Sequence, residues 1–185
     1  MAYPHTKPMK PLAKIAAVTV LVLAAWAGPA GAASTKGLLW ATVNACDTTA
    51  RPDRVGVRGS MPGTGREGKM RMRFSAQFFD PTRGAWRNVH GRQGVSPWLE
   101  AGSSKFKFRE TGWNFQFVPP APGATFLTRA AAEFEWRERR AIKKGSKKTE
   151  SVVVKKRRAL TKAGHSSPAG SDPAGFSASN CQITG

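Results

Sequence analysis

In residues 70–79, MRMRFSAQFF, Met70, Met72, Phe74, Ala76 and Phe78 are apolar, and Arg71, Arg73, Ser75 and Gln77 between them are polar. A period of two belongs to a β-strand with one dry face and one wet face. A helix is ruled out, because the apolar residues never form an i, i+3, i+4, i+7 stripe. One such strand cannot bury its dry face alone, so the rest of the chain has to supply matching faces.

Several segments do. Leu39, Ala41, Val43 and Ala45 alternate with Trp40, Thr42 and Asn44, and Val55 and Val57 begin a second short strand after an Arg51-Pro52-Asp53 turn. Residues 60–65 read as punctuation. Asp80-Pro81-Thr82-Arg83-Gly84 is a turn in which proline presets φ and glycine supplies the exit, so residues 86–89 should return as a hairpin partner. Pro97-Trp98-Leu99 reads as an apolar plug. Lys105-Phe106-Lys107-Phe108-Arg109 and Trp113-Asn114-Phe115-Gln116-Phe117 both place aromatic rings inward and polar groups in water. The longest run puts Phe126, Thr128, Ala130, Ala132, Phe134 and Trp136 on one face, and Val152-Val153-Val154 opens the last strand. Turn signals recur near 52, 62, 82, 92, 102, 111 and 121. Short strands at that spacing predict an all-β antiparallel sandwich of about seven to nine strands.

Residues 1–33 have a different character. Lys7, Lys10 and Lys14 precede an apolar run, residues 15–27, which ends in Gly28-Pro29-Ala30-Gly31-Ala32-Ala33. That order describes a helical secretory signal peptide cleaved after Ala32 or Ala33. The competing reading is an uncleaved anchor, for which the run is short, since spanning a bilayer takes about 20 residues. The expectation is a domain over residues 34–185, secreted or held at the cell surface, and membrane-anchored if the signal stays. Two cysteines, Cys46 and Cys181, make an isolated pair, which in an exported chain reads as a disulfide. Zinc would need two further ligands at motif spacing, and a redox pair would need C-x-x-C; neither pattern occurs. No cofactor or metal site is expected.

Charge is the second constraint. The whole chain has a formal charge of +19, and loss of the three signal lysines leaves +16. Residues 137–162 hold twelve Lys or Arg against Glu138 and Glu150, a net +10. The cluster centres on Lys143, Lys144, Lys147 and Lys148, followed by Lys155, Lys156, Arg157 and Arg158. Like charges this dense repel unless neutralised, and phosphate-rich polymers neutralise them with counterion release. The candidate partner is thus an anionic polymer: cell-envelope material, extracellular nucleic acid or lipid headgroups. A solvated loop is the plainer alternative. The doublets 155–158 put charge on both faces of their strand, so it must lie at an edge, leave the core or bulge. Residues 137–151 read as a long basic hairpin, and residues 163–185 as a tail tethered by Cys181 with Phe176 as its anchor.

Other motifs fail on their chemistry. Gly63-Thr64-Gly65-Arg66-Glu67-Gly68-Lys69 matches a phosphate-binding loop except that Met70 replaces the magnesium-binding hydroxyl and a strand follows in place of a helix. His90 and His165 have no ligand or base companion at motif spacing, and Glu133 and Glu135 share a strand face with Arg129 and Arg137, as cross-paired surface charges do. A non-catalytic module is expected, with an inert or partner-binding subunit and a hydrolase assembled from distant residues as alternatives.

Cys46-Asp47-Thr48, Met61-Pro62-Gly63, Met70-Arg71-Met72-Arg73-Phe74, Phe134-Glu135-Trp136-Arg137, Ala163-Gly164-His165 and Asp172-Pro173-Ala174-Gly175-Phe176-Ser177 ahead of Cys181 resemble landmarks of a group of uncharacterised exported bacterial proteins. The resemblance implies an immunoglobulin-like sandwich and no particular activity. The lysine-rich stretch 143–150 is longer than the hairpin usual in that group. Immunoglobulin domains also place both cysteines on facing central strands, whereas here the second lies near the end of the chain.

Overall fold

A computed structural model describes residues 37–165 and 168–185; the expected signal helix lies outside them. Nine antiparallel strands form two sheets among the described residues. The smaller sheet runs β1 (Trp40–Thr48), β2 (Arg51–Pro62), β6 (Phe108–Gln116). The larger is built on β3 (Lys69–Asp80) and β7 (Thr125–Ala141), which pair from Lys69↔Arg137 to Phe78↔Thr128. The far edge of β3 is shared by β4 (Ala85–Asn88) and β5 (Leu99–Ser103). The far edge of β7 is shared by β8 (Thr149–Leu160) and β9 (Cys181–Thr184).

The alternation in β3 turns Met70, Met72, Phe74 and Ala76 into the interior between the sheets. There they meet Ala130, Ala132, Phe134 and Trp136 of β7, and Val43, Val55, Val57, Met61 and Phe115 of the smaller sheet. Phe74 and Phe134 are both fully buried in this one core. Trp136 could not be buried with its indole N–H unpaired; it donates to the carbonyl of Pro62 at 2.8 Å.

The disulfide forms as expected. Cys46 of β1 and Cys181 of β9 are bonded with Cα atoms 5.3 Å apart, joining the two sheets across 135 residues of chain. The tail is held along its length as well. Val43 and Ala178 exchange backbone hydrogen bonds of 2.9 and 3.0 Å, and the amide N–H groups of Lys162 and Asp172 donate to Ala41 and Asn44, each at 2.8 Å. These bonds cover the outer edge of β1, and Phe176 packs against the core.

Four expectations need correction. Residues 60–62 are strand, not punctuation: β2 runs on to Pro62, and Met61 is fully buried. Phe106 and Phe108 are not core residues, being 52% and 44% exposed. Phe106 lies in the turn 104–107 between β5 and β6, where a chain reversing direction has no inner face to offer, and Phe108 is the first residue of β6, an edge strand of the smaller sheet. The basic connection is only residues 142–148. Residues 137–141 and 149–151 are paired strand, in register Arg137↔Val153 to Ala141↔Thr149. This part of the hairpin projects beyond the core, both faces are wet, and so the ladder leaves no hydrophobic period in the sequence. Finally, the strand containing Val152 is not the last, because β9 follows it.

Closing a loop of this length gives a disulfide about 4–5 kcal/mol in the chain-entropy model. Replacing Cys46 and Cys181 together by serine is expected to lower the unfolding free energy by about that amount. The denaturant midpoint, compared with wild type in the presence and absence of reductant, measures it.

Candidate anion-binding site

The structure divides the eight basic residues of the sequence cluster into three groups. Lys143, Lys144, Lys147 and Lys148 occupy the exposed hairpin tip. The turn is ordered by Ser146 N–H donating to Lys143 O at 2.9 Å and Ile142 N–H to Lys148 O at 3.1 Å. Lys156 and Arg158 face away from the core, opposite Glu135 and Glu133, while Lys155 and Arg157 face the other way, opposite Trp136 and Phe134. Lys155 Nζ lies 4.8 Å from the centroid of the Trp136 ring, a cation–π contact at the rim of the core. At about 3.3 Å per residue, the tip stands roughly 25 Å from Lys156. The expected placement of 155–158 is met in two ways at once: β8 lies at the sheet edge, and a bulge falls between the pairs Trp136↔Lys155 and Arg137↔Val153.

The tip lysines make no ion pair among the described residues. Of the carboxylates nearby, Glu138 pairs with Arg140 and Glu150 makes no ion pair among the described residues, while Glu133 and Glu135 are engaged on the outer face of the larger sheet. Glu133 pairs with Arg73 at 2.7 Å. Glu135 receives Arg71 at 2.7 Å, Lys156 at 3.0 Å and Arg137 at 3.2 Å. Only 3% of Glu135 is exposed, so it is a buried hub, not the surface charge its alternation suggested. Burial alone would raise its pKa; hydrogen bonds from Lys156 and Arg71, with their charges, outweigh that and hold the carboxyl below its ordinary value.

Sequence reasoning also missed the aromatic part of this face. Trp98 lies under two guanidinium groups, Arg71 at 4.4 Å and Arg73 at 4.8 Å, so it caps the outer face and is not an apolar plug. Arg129 stacks on Trp86 at 4.1 Å. The signal for the Trp98 stacks was present, since Arg71 and Arg73 occupy wet positions of β3, but Trp98 comes from a loop whose position no periodicity encodes.

The two histidines are far simpler. His90 is exposed in the link after β4. His165 stacks on Trp40, ring centroids 4.4 Å apart, in a depression of about 290 Å³ that Ser60 and Glu110 also line. Burial, and then the charge of Lys162, lower its pKa below the ordinary histidine value, which favours the neutral ring. Its Nε2 has no hydrogen-bond partner among the described residues, and Glu110 faces Arg58 at 3.7 Å. No group of three His, Cys, Asp or Glu among the described residues is placed to hold a metal ion.

Comparison of the chain with protein-family models, with curated proteins and with solved structures finds no match.

Removing Glu135 leaves three cations crowded around an empty centre. Glu135→Ala is expected to cost about 3 kcal/mol, the lower end for a broken buried pair, because Arg71, Arg137 and Lys156 keep access to water. The folded-state pKa of Glu135 is depressed, so its contribution is whole above the ordinary carboxylate value and is lost as pH falls through the folded value. The acid-unfolding curve of Glu135→Gln should lack that component, as circular dichroism against pH would reveal.

Proposed function

We propose that the protein is an exported, non-catalytic surface module with an immunoglobulin-like sandwich body, which adheres electrostatically to anionic polymer of the cell envelope. The observation carrying this reading is the hairpin tip, where four exposed lysines in a seven-residue turn have no carboxylate partner among the described residues. Exposed like charges held together cost free energy in the unbound protein, and a polyanion removes that cost while releasing its counterions. The signal-like residues 1–33 support export. So does the Cys46–Cys181 bond, of a kind that forms and persists in oxidising compartments.

Replacing Lys143, Lys144, Lys147 and Lys148 by serine tests the proposal, with retention on isolated cell-wall polymer, DNA and anionic liposomes measured against salt. The log–log salt slope on the wall polymer should fall by about 3, as expected for four lost phosphate contacts. Unchanged retention on all three materials would sink the adhesion reading. A loss confined to DNA or liposomes would move it to that partner.

A further inference from the structure

The base of the hairpin carries a second feature. Between the β2–β3 loop and the arms of β7 and β8 runs a groove of about 870 Å³, lined by Arg66, Lys69, Arg137 and Arg139 and by the hydroxyl-bearing Thr149 and Ser151. Two carboxylates also line it, but both are committed to cations outside it: Glu67 pairs with Lys105 and Glu138 with Arg140. Arg66, Lys69 and Arg139 are left without a carboxylate among the described residues.

The walls of this groove are held in place. Ser104 is 97% buried, at 3% exposure, and organises the loop: its carbonyl accepts from Thr64 N–H at 2.8 Å and Gly65 N–H at 3.0 Å, its own N–H donates to Gly68 O at 3.0 Å, and its hydroxyl donates to Arg66 O at 2.7 Å. Gly68 lies so close to β7 that a Cβ there would come within 2.8 Å of the Arg137 carbonyl and 2.7 Å of the Ser104 hydroxyl. On the opposite side Arg137, two residues after Glu135 on the outer face of β7, lines the groove. Its guanidinium is fixed by Glu135 at 3.2 Å, by the Ser151 hydroxyl at 3.1 Å and by the Ser151 carbonyl at 2.8 Å. Those bonds use three of its five N–H donors, leaving two for a ligand. The Ser151 oxygen accepts from Arg137, so its own proton is free to be donated.

Lys69 and Arg137 stand directly opposite each other in the β3–β7 ladder. Like charges in that position destabilise a sheet. Arg139 follows two residues along the same face. A row of cations with spare donors, flanked by hydroxyls and kept against its own repulsion, is complementary to the oxygens of phosphate esters.

We infer that this groove is a specific site for the phosphodiester groups of a base-free polymer, such as a polyol phosphate chain. Nucleic acid fits less well, because no aromatic side chain lines the groove for a base to stack on. The inference rests on the adhesion reading in taking the same class of polymer, but it assigns recognition to the base of the hairpin and not to its tip.

The test uses the intact protein, observed by two-dimensional amide NMR, with three probes: inorganic tripolyphosphate, a glycerol-phosphate oligomer and oligo-deoxythymidine. Two variants accompany wild type, Lys69→Gln with Arg139→Gln, and the four-serine tip variant. The glycerol-phosphate oligomer should shift the amides of Gly68, Thr149 and Ser151, and the groove variant should bind it and tripolyphosphate about tenfold more weakly or worse. The tip variant should retain the groove shifts. Full affinity in the groove variant with loss in the tip variant would overturn the groove and leave adhesion standing. Loss in neither would overturn both. Oligo-deoxythymidine binding the groove as tightly as the glycerol-phosphate oligomer would overturn the base-free assignment. Should the groove variant fail to fold, the wild-type shift map decides alone: shifts confined to residues 142–148 overturn the inference.

Discussion

The ladder between β3 and β7 is the interaction on which the remaining structure depends. Its inner face pairs Met70 with Trp136, Met72 with Phe134, Phe74 with Ala132 and Ala76 with Ala130. Side-chain bulk therefore falls from one end of the ladder to the other. The bulky end is filled from within and closed by Trp136 donating to Pro62 on the opposite sheet. The alanine end continues to Thr128, whose hydroxyl donates to the carbonyl of Cys181 at 3.0 Å, and here β9 buries Cys181 and Ile183. A late segment is thus drawn into a core that the middle of the chain leaves incomplete, and the disulfide secures it there.

The same ladder organises the outer face. Because the period is two, the residues between the core positions of β3 and β7 face outward, and the register places Arg71 against Glu135 and Arg73 against Glu133. Pairing opposite charges across strands stabilises the sheet. It also consumes carboxylates that are scarce, with 11 acidic residues against 30 basic in the whole chain. What the sheet takes is unavailable to the hairpin. The surplus of positive charge at the tip and groove follows from where the acids are placed as much as from how many lysines there are.

The legibility of these features in the sequence follows burial. Where one face is dry, as in residues 70–76 and 128–136, hydrophobic alternation reveals strand, register face and core together. The paired cysteines were equally plain, since two cysteines without metal-ligand or C-x-x-C spacing leave little choice but to bond to each other. Legibility ended where both faces are wet. The continuation of β7 to Ala141 and the start of β8 at Thr149 carry charges on either side, and only the ladder bonds betray them. Phe106 misled for the converse reason: its alternation with Phe108 is real, but the backbone at 104–107 is turning, and Phe106 is covered by the Arg109 guanidinium at 3.7 Å and not by a sheet. Glu135 looked like a surface charge because the residues that bury it come from three different strands. The groove was invisible for the same cause, as Lys69 and Arg137 meet only through register.

One structural explanation for the basic residues is that they guard an edge. It accounts well for part of them. β8 is an edge strand of twelve residues whose one partner strand among the described residues is β7, and Lys155, Lys156, Arg157 and Arg158 charge both of its faces, which discourages a second sheet from adding to it. The opposite sheet needs no such guard on β1, whose edge is covered by the returning tail. The protective role is therefore complete within β8 itself. Lys143, Lys144, Lys147 and Lys148 lie in a turn that has no ladder to extend, and Lys69 lies on a strand paired on both sides, with Arg137 and Ser103. Edge protection gives no reason for charge at those places, and repulsion argues against it. The tip lysines and Lys69 are thus distinct from the cations that guard the edge, and it is to them that the proposed anion binding is assigned.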